Sequence, residues 1–472
     1  MVLAVPRRWG IRSGDVLAVV IGNAVLIVGM WLRHGGLTTA GNVGGGLTAA
    51  GQLTALLGTY AALVQIVLMS RVPWLEHVFG LDLLARWHRW LGFTCTWLIL
   101  GHVLLTTAGY AVGDGVSLPA ELARLVSQYP YVLMAAAGTA LLVMAAALSV
   151  RAARRRLSHE TWYFVHLYLY LAIALSFGHQ LMVGSDLSSD PIAEGYWVAL
   201  YVAVIGFVLS FRVGHPLRLA ARHRLRVARI VDEAPGIYSI YITGRRLHEL
   251  PVRAGQFFRW RFMTRDAWWR SHPFSLSAAP NGRYLRLTVK VVGDHTTWLR
   301  GVTPGTPVIA EGPHGVLTSL RRSQPRALLI AAGIGITPLR ALLEELPGGK
   351  GRPALIYRAR TWDDVAFRDE IDQIMKHRSG EVHYVVGRRG RDIDAHPLGP
   401  RALRRMVPDL HTRDIFVCGP QEMIDEVCQG LSDMGVPRRQ VHRERFALLE
   451  SRLQRRNVAG RALGRGDGFG RG

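Results

Sequence analysis

The sequence predicts a multi-domain membrane protein: a six-helix transmembrane bundle followed by an antiparallel β-barrel and an α/β doubly wound domain. Three observations predict it. Hydrophobic residues make up 49% of the 472 positions and charged residues 19%, and the apolar ones crowd into the first 212 positions as six bilayer-length runs. From about residue 216 short β-rich runs punctuated by Gly and Pro take over. From about residue 326 strands alternate with helices. The expected boundaries are 1–215 for the bundle, 216–320 for the barrel, 321–449 for the α/β domain and 450–472 for a basic, disordered tail.

The six spans are expected near 16–32, 48–69, 88–112, 130–150, 161–179 and 196–211. Arg7, Arg8 and Arg12 precede the first run and mimic a signal peptide, but no small-x-small cleavage site follows, so the run reads as an uncleaved span. The connecting segments alternate in charge. Arg71 and Arg86 lie between the second and third spans, Arg151, Arg154, Arg155 and Arg156 between the fourth and fifth, and Arg212, Arg218, Arg222 and Arg224 after the sixth. The other loops carry few bases. The positive-inside rule then puts both termini in the cytoplasm of a plasma (inner) membrane protein.

The formal net charge of +23 is spread beside the spans and in the tail rather than gathered into a nucleic-acid-binding pattern, so no nucleic-acid partner is expected. Cys95, Cys418 and Cys428 have neither a disulfide-framework nor a zinc spacing, and an iron–sulfur cluster needs about four thiolates.

Ionisable residues inside spans are costly and mark function. His88 and His102 lie fourteen positions apart on the third span, and His166 and His179 thirteen apart on the fifth. At about 1.5 Å per residue each pair is separated by roughly 20 Å along the helix. The two spans run in the same direction, so His88 pairs with His166 toward the cytoplasm and His102 with His179 toward the outside. That suits two haems stacked across the bilayer, each iron held by two imidazoles, an arrangement for electron transfer rather than ligand binding at the metal. One tension remains in the pattern. Fourteen residues return to within about 40° of the same helix face, whereas thirteen miss by about 140°, so the fifth helix must bend, rewind locally or present its histidines obliquely.

In the soluble half the run His272-Pro273-Phe274-Ser275-Leu276-Ser277 offers a flavin an aromatic face and a hydroxyl. Lys290, Gly293 and Thr296 combine a cation, a tight turn and a hydroxyl suited to a diphosphate. The first α/β strand leads into Gly333-Ile334-Gly335-Ile336-Thr337-Pro338. Its glycines admit a pyrophosphate, Thr337 is placed to cap the helix, and Pro338 suits the first turn.

Taken in this order the motifs resemble the ferric reductase / NADPH oxidase superfamily, from about residue 50 to 446. The resemblance rests on the two histidine pairs, the His-Pro-Phe-Ser-Leu-Ser run, Val-Val-Gly-Asp-x-Thr, Glu311-Gly312-Pro313-x-Gly315, Gly-Ile-Gly-Ile-Thr-Pro and Cys418-Gly419-Pro420. It implies that Phe274 and Ser275 contact the isoalloxazine of FAD and that Lys290 and Thr296 hold its phosphate. Gly333, Gly335 and Thr337 would cradle the nicotinamide dinucleotide, with Cys418 and Gly419 bordering the nicotinamide. Phe446 would cover the flavin. Arg388 and Arg389, with Arg358 and Arg360 as a second clamp, favour NADPH over NADH. His295 departs from the pattern, since the family often has Trp there, and 26 residues follow Phe446.

The function expected is transmembrane electron transfer from cytosolic NAD(P)H through FAD and two b-type haems to an outer acceptor, dioxygen or a ferric chelate. A periplasmic redox protein is an alternative acceptor. A haem-free transporter or sensor is the reading from another class. Arg33 and His34 at the outer end of the first span are candidates for attracting an anion, or serve as an interfacial anchor.

Overall fold

The computed structural model describes residues 12–150, 157, 159–183 and 190–445; Phe446 and the basic tail lie outside them. The chain divides into two compact units, 1–214 and 215–472.

The first unit is helical. Its elements are α1 (Ser13–Arg33), α2 (Val43–Leu68), α3 (Pro73–Phe79), α4 (Leu81–Asp114), α5 (Leu118–Gln128), α6 (Val132–Ser149), α7 (His159–Met182) and α8 (Pro191–Phe207). Among the described residues six helices are long and apolar enough to cross a membrane, the last running from Pro191 to His223 through a π-helical stretch, Val208–Gly214, and α9 (His215–His223). The first and last spans extend beyond their expected limits because the flanking residues continue the helix.

Small residues seat α2 on α4. A Cβ on Gly44 would lie 2.9 Å from the Gly109 carbonyl oxygen, one on Gly58 would lie 3.0 Å from Ile99 Cδ1, and one on Gly51 would run into Thr106. Close backbone approach of this kind is how helices associate where lipid supplies no hydrophobic drive. The opposite face of α4 shows Trp90, Phe93, Trp97 and Leu104, all more than half exposed. Such a stripe is costly in water and stable against acyl chains.

The second unit begins with strands β1 (Arg226–Ala234), β2 (Ile237–Thr243), β3 (Phe257–Phe262), β4 (His272–Ser275) and β5 (Leu285–Lys290), then α10 (Asp294–Arg300) and β6 (Val308–His314). The expected barrel is not formed as one closed sheet. The strands make two antiparallel three-stranded sheets, β1-β2-β5 and β4-β3-β6, linked by the single bridges Leu276↔Leu287 and Arg226↔Pro307. Register shifts in β1 and in the β3–β6 pairing bend the ladders and interrupt them. Both sheets enclose one core that includes Tyr238, Ile240, Phe258, Trp260 and Leu287. Strands β4 and β6 carry no clear strand signature in the sequence. Their prolines argue against a central strand, and β4 holds Pro273 at a sheet edge, where a missing N–H is tolerated.

The remainder follows the expected alternation: β7 (Arg326–Ala332), α11 (Ile336–Glu345), β8 (Ala354–Ala359), α12 (Arg368–Arg378), β9 (Glu381–Val386), α13 (Pro400–Met406), β10 (Arg413–Gly419), α14 (Gln421–Asp433) and β11 (Val441–Arg445). All strand pairs are parallel, in the order β11-β10-β7-β8-β9. The chain leaves β7 toward β8 and later returns to its other side as β10. The carboxyl ends of β7 and β10 therefore flank the topological switch point, where open α/β sheets bind ligands.

Candidate cofactor sites

The histidines meet as the sequence pairs them. The ring centres of His88 and His166 lie 5.9 Å apart and those of His102 and His179 6.3 Å apart. His88 Nδ1 is 3.2 Å from the Gln65 carbonyl oxygen, and His102 Nδ1 is 3.1 Å from that of Gly51. A bond to a carbonyl requires the Nδ1–H tautomer, which turns the Nε2 lone pair outward as a metal ligand. The acceptors Gly51 and Gln65 are themselves fourteen residues apart on the helix antiparallel to α4. This repeat is visible in the sequence, and the sequence reading missed it. Close packing at Gly51 is what brings its carbonyl within reach of His102.

The angular tension on α7 is met without rewinding, since the helix has no π or 3₁₀ turn between His159 and Met182. Instead the two rings approach differently. His166 meets His88 at an interplanar angle of 76°, and His179 meets His102 at 25°. A metal bound at about 2 Å by one nitrogen of each imidazole sets the ring centres about 6 Å apart. Both pairs fit that spacing. Halfway between them on α4, Cys95 is buried with Ala61 and Ala62. His34 is engaged at its Nε2 by Asp190 Oδ2, 2.9 Å away, which favours the anchor over the anion-attracting reading.

At the switch point Gly333 takes φ +53°, and the space its Cβ would fill is empty, leaving a cradle at the end of β7. A Cβ on Gly335 would run into the Cys418 carbonyl, so this glycine holds the two strand ends together. Thr337 departs from its expected capping role. The helix starts at Ile336, and the Thr337 hydroxyl donates to the Ile334 carbonyl at 2.9 Å. Pro338 lies in the first turn as expected. Cys418 is fully buried; burial, reinforced by the Glu444 charge, pushes its thiol well up, so it stays neutral. Gly419 and Pro420 follow it into α14.

Within the flavin run the residues part company. Ser275 is buried, and its Oγ has no hydrogen-bond partner among the described residues, an orphaned donor suited to a flavin edge. Phe274 lies beside it, its carbonyl accepting from Trp260 Nε1 at 3.0 Å. Leu276 is core. Ser277 is fully buried, and its Oγ lies 2.7 Å from Thr288 Oγ1. His272 stacks on His295 with ring centres 3.6 Å apart, and His295 on Trp298 at 5.3 Å, so His295 joins an aromatic ladder where Trp was expected.

Two expected phosphate ligands are engaged elsewhere. Lys290 Nζ is 2.7 Å from Asp364 Oδ1. The Thr296 hydroxyl accepts from the backbone N–H groups of Val292 and Gly293 at 2.9 and 3.1 Å, shaping the turn itself. Arg358 spends its guanidinium on the Val385 and Gly387 carbonyls, and Arg389 pairs with Glu426. Arg360 and Arg388 remain exposed, with no ion pair among the described residues.

A membrane bundle carrying paired intramembrane histidines, joined to a two-sheet module and a parallel α/β domain with a glycine cradle at its switch point, defines a membrane-bound flavin- and nicotinamide-dependent oxidoreductase. Three family models match in the same order: ferric reductase like transmembrane component over residues 54–177, FAD-binding domain over 236–317 and oxidoreductase NAD-binding domain over 329–429. The chain therefore has the ferric reductase/NADPH oxidase-type architecture. It is a multi-pass membrane protein with NAD(P)H-dependent transmembrane electron transfer via FAD.

Among its relatives is a flavohemoprotein of Pseudomonas aeruginosa, 35% identical over 284 residues, covering 56% of this chain and 70% of the relative. Ferredoxin–NADP reductase B of Sorangium cellulosum is 31% identical over 196 residues, covering 37% of this chain and 77% of the relative. The flavohem-like FAD/NAD binding domain of nitric oxide dioxygenase from Vibrio cholerae is 22% identical with a TM-score of 0.39, covering 47% of this chain and 97% of that one.

Proposed function

We propose that the chain carries electrons from cytosolic NAD(P)H, NADPH in preference to NADH, through FAD and two b-type haems to dioxygen or a ferric chelate at the outer face. The observation that supports this reading above all is the pair of imidazole couples, each at metal-ligand spacing and each with one ring set by a carbonyl. When bound, FAD accepts a hydride from the nicotinamide and the haem irons pass the electrons on singly, chemistry that belongs to the cofactors.

The chain supplies position and dryness. His88 and His166 hold the inner haem, His102 and His179 the outer one. Phe274 and Ser275 meet the flavin ring, with His272 and Pro273 beside them. Lys290, Gly293 and Thr296 border its diphosphate, Lys290 sharing its charge with Asp364. Gly333, Gly335, Thr337 and Pro338 receive the dinucleotide. Arg360 and Arg388 supply cations for a 2′-phosphate. Cys418, Gly419 and Pro420 wall the nicotinamide, and the neutral Cys418 thiol adds no charge where the hydride leaves. Phe446, outside the described residues, is the expected flavin cover.

Alanine at His102 or His179 tests the reading. Either variant should lose about half of the haem measured per polypeptide and the delivery of electrons to an outer acceptor. Reduction of a soluble dye by NADPH should continue. Unchanged haem content in both variants refutes the ligand assignment, and a colourless wild-type preparation made with haem supplied leaves the haem-free reading.

A further inference from the structure

Ser277 closes the flavin run, and two arginines from different layers of the unit grip its carbonyl. Arg286 of β5 donates through Nη2 at 2.9 Å, and Arg340 of α11 through Nη1 at 2.9 Å. Helix α11 is the one that leaves the Gly333–Gly335 turn. Both guanidinium groups then converge on Glu370 of α12. Arg286 binds it by a fork of 2.9 and 3.0 Å, and Arg340 reaches it at 2.6 Å. Glu344 accepts from Arg340 at 2.9 Å and from the Ala279 N–H at 2.5 Å, tying the residues just beyond the flavin run to the same helix. The Phe367 ring lies 4.7 Å from the Arg286 guanidinium carbon and 5.8 Å from that of Arg340. Both arginines are buried.

Burying two guanidinium groups against a half-exposed carboxylate is an expensive way to join two layers. Apolar side chains of similar volume often stabilise as well or better, and they cost no desolvation of charge. What forked charge-assisted bonds add is direction, because they tolerate little sliding, whereas apolar contacts slide freely. Hydride transfer is sensitive to displacements of an ångström or less. We infer that the Arg286–Glu370–Arg340 network is a positioning device that fixes the flavin run against the nucleotide turn, so that Glu370 and Arg340 govern hydride transfer while touching neither cofactor. The inference rests on the NAD(P)H-to-FAD reading above.

The test uses the full-length protein with FAD bound, comparing wild type with Glu370→Gln, which keeps the volume, and Arg340→Met, which keeps most of the stem. Anaerobic mixing with NADPH should show flavin reduction slowed at least tenfold in both, with KM for NADPH within about threefold and FAD content unchanged. The long-wavelength charge-transfer absorbance of nicotinamide stacked on flavin should weaken in parallel. Without any nucleotide, hydrogen exchange should quicken together in the peptides spanning 277–290 and 336–345. Variants that keep their FAD and match wild type in rate and charge-transfer absorbance overturn the inference. Loss of FAD from both also overturns it, because the network would then serve stability alone. If the wild-type flavin is reduced by neither nicotinamide, the parent reading falls and takes this one with it.

Discussion

Lys290 shows how a residue legible in sequence can be placed differently by its neighbours. The motif offers its charge to a phosphate, and Asp364, seventy-four positions later, takes hold of it at 2.7 Å. Burial alone would raise the Asp364 carboxyl; the Lys290 hydrogen bond and charge override that and hold it below the ordinary aspartate range. If Lys290 serves the FAD diphosphate, Asp364 competes with the cofactor. Asp364→Asn is then expected to tighten FAD retention by roughly two- to fivefold, the size of a partly exposed ion pair, and Lys290→Met to loosen it. Flavin fluorescence on dilution measures both. A variant Asp364→Asn that sheds FAD faster than wild type would show that the pair, rather than the free lysine, builds the site.

Elements carry the next set of consequences. Helix α4 can set His102 only because α2 comes close at Gly51, where any Cβ meets Thr106. Gly51→Ala should therefore cost about 1–3 kcal/mol through overpacking. It should also move the carbonyl away from His102, lowering haem occupancy or shifting one of two haem potentials while the other stays put. Redox titration of the haem absorbance separates the two. On α12, burial would push the Glu370 carboxyl up, but the Arg286 hydrogen bond and the Arg340 charge hold it below its usual range. The folded pKa lies below the unfolded one, so unfolding takes up a proton. The stabilisation is complete above the ordinary glutamate value and drains away as pH falls through the folded pKa. Thermal unfolding followed from about pH 6 down to about pH 2 should show this loss in wild type, and Glu370→Gln should flatten that part of the profile. Strand β4 makes a related point: four residues with a proline gave no strand signal, yet β3 recruits them at an edge, where only one side needs a ladder.

At the scale of the whole molecule, the charge alternation of the loops predicts that both termini face the cytoplasm. A reporter that folds only in the cytoplasm should be active when fused after residue 472 and silent when inserted in the 34–42 segment; the reverse pattern would invert the direction of electron flow. The six spans, the alternation of the α/β half and the histidine pairing were all legible in the sequence, because each depends on local periodicity or on spacing along one helix. Strand order, the broken ladder between the two sheets, the Asp364 grip on Lys290 and the Arg286–Glu370–Arg340 network were not, because each joins groups far apart in the chain. Sequence by itself determined which segments are long and apolar enough to cross a bilayer and which residues are candidates for the chemistry, since hydrophobic length and residue type act locally. Only the tertiary structure decided which charges remain available to a ligand and which are spent on each other, since buried polar groups bind whatever partner folding brings within about 3 Å.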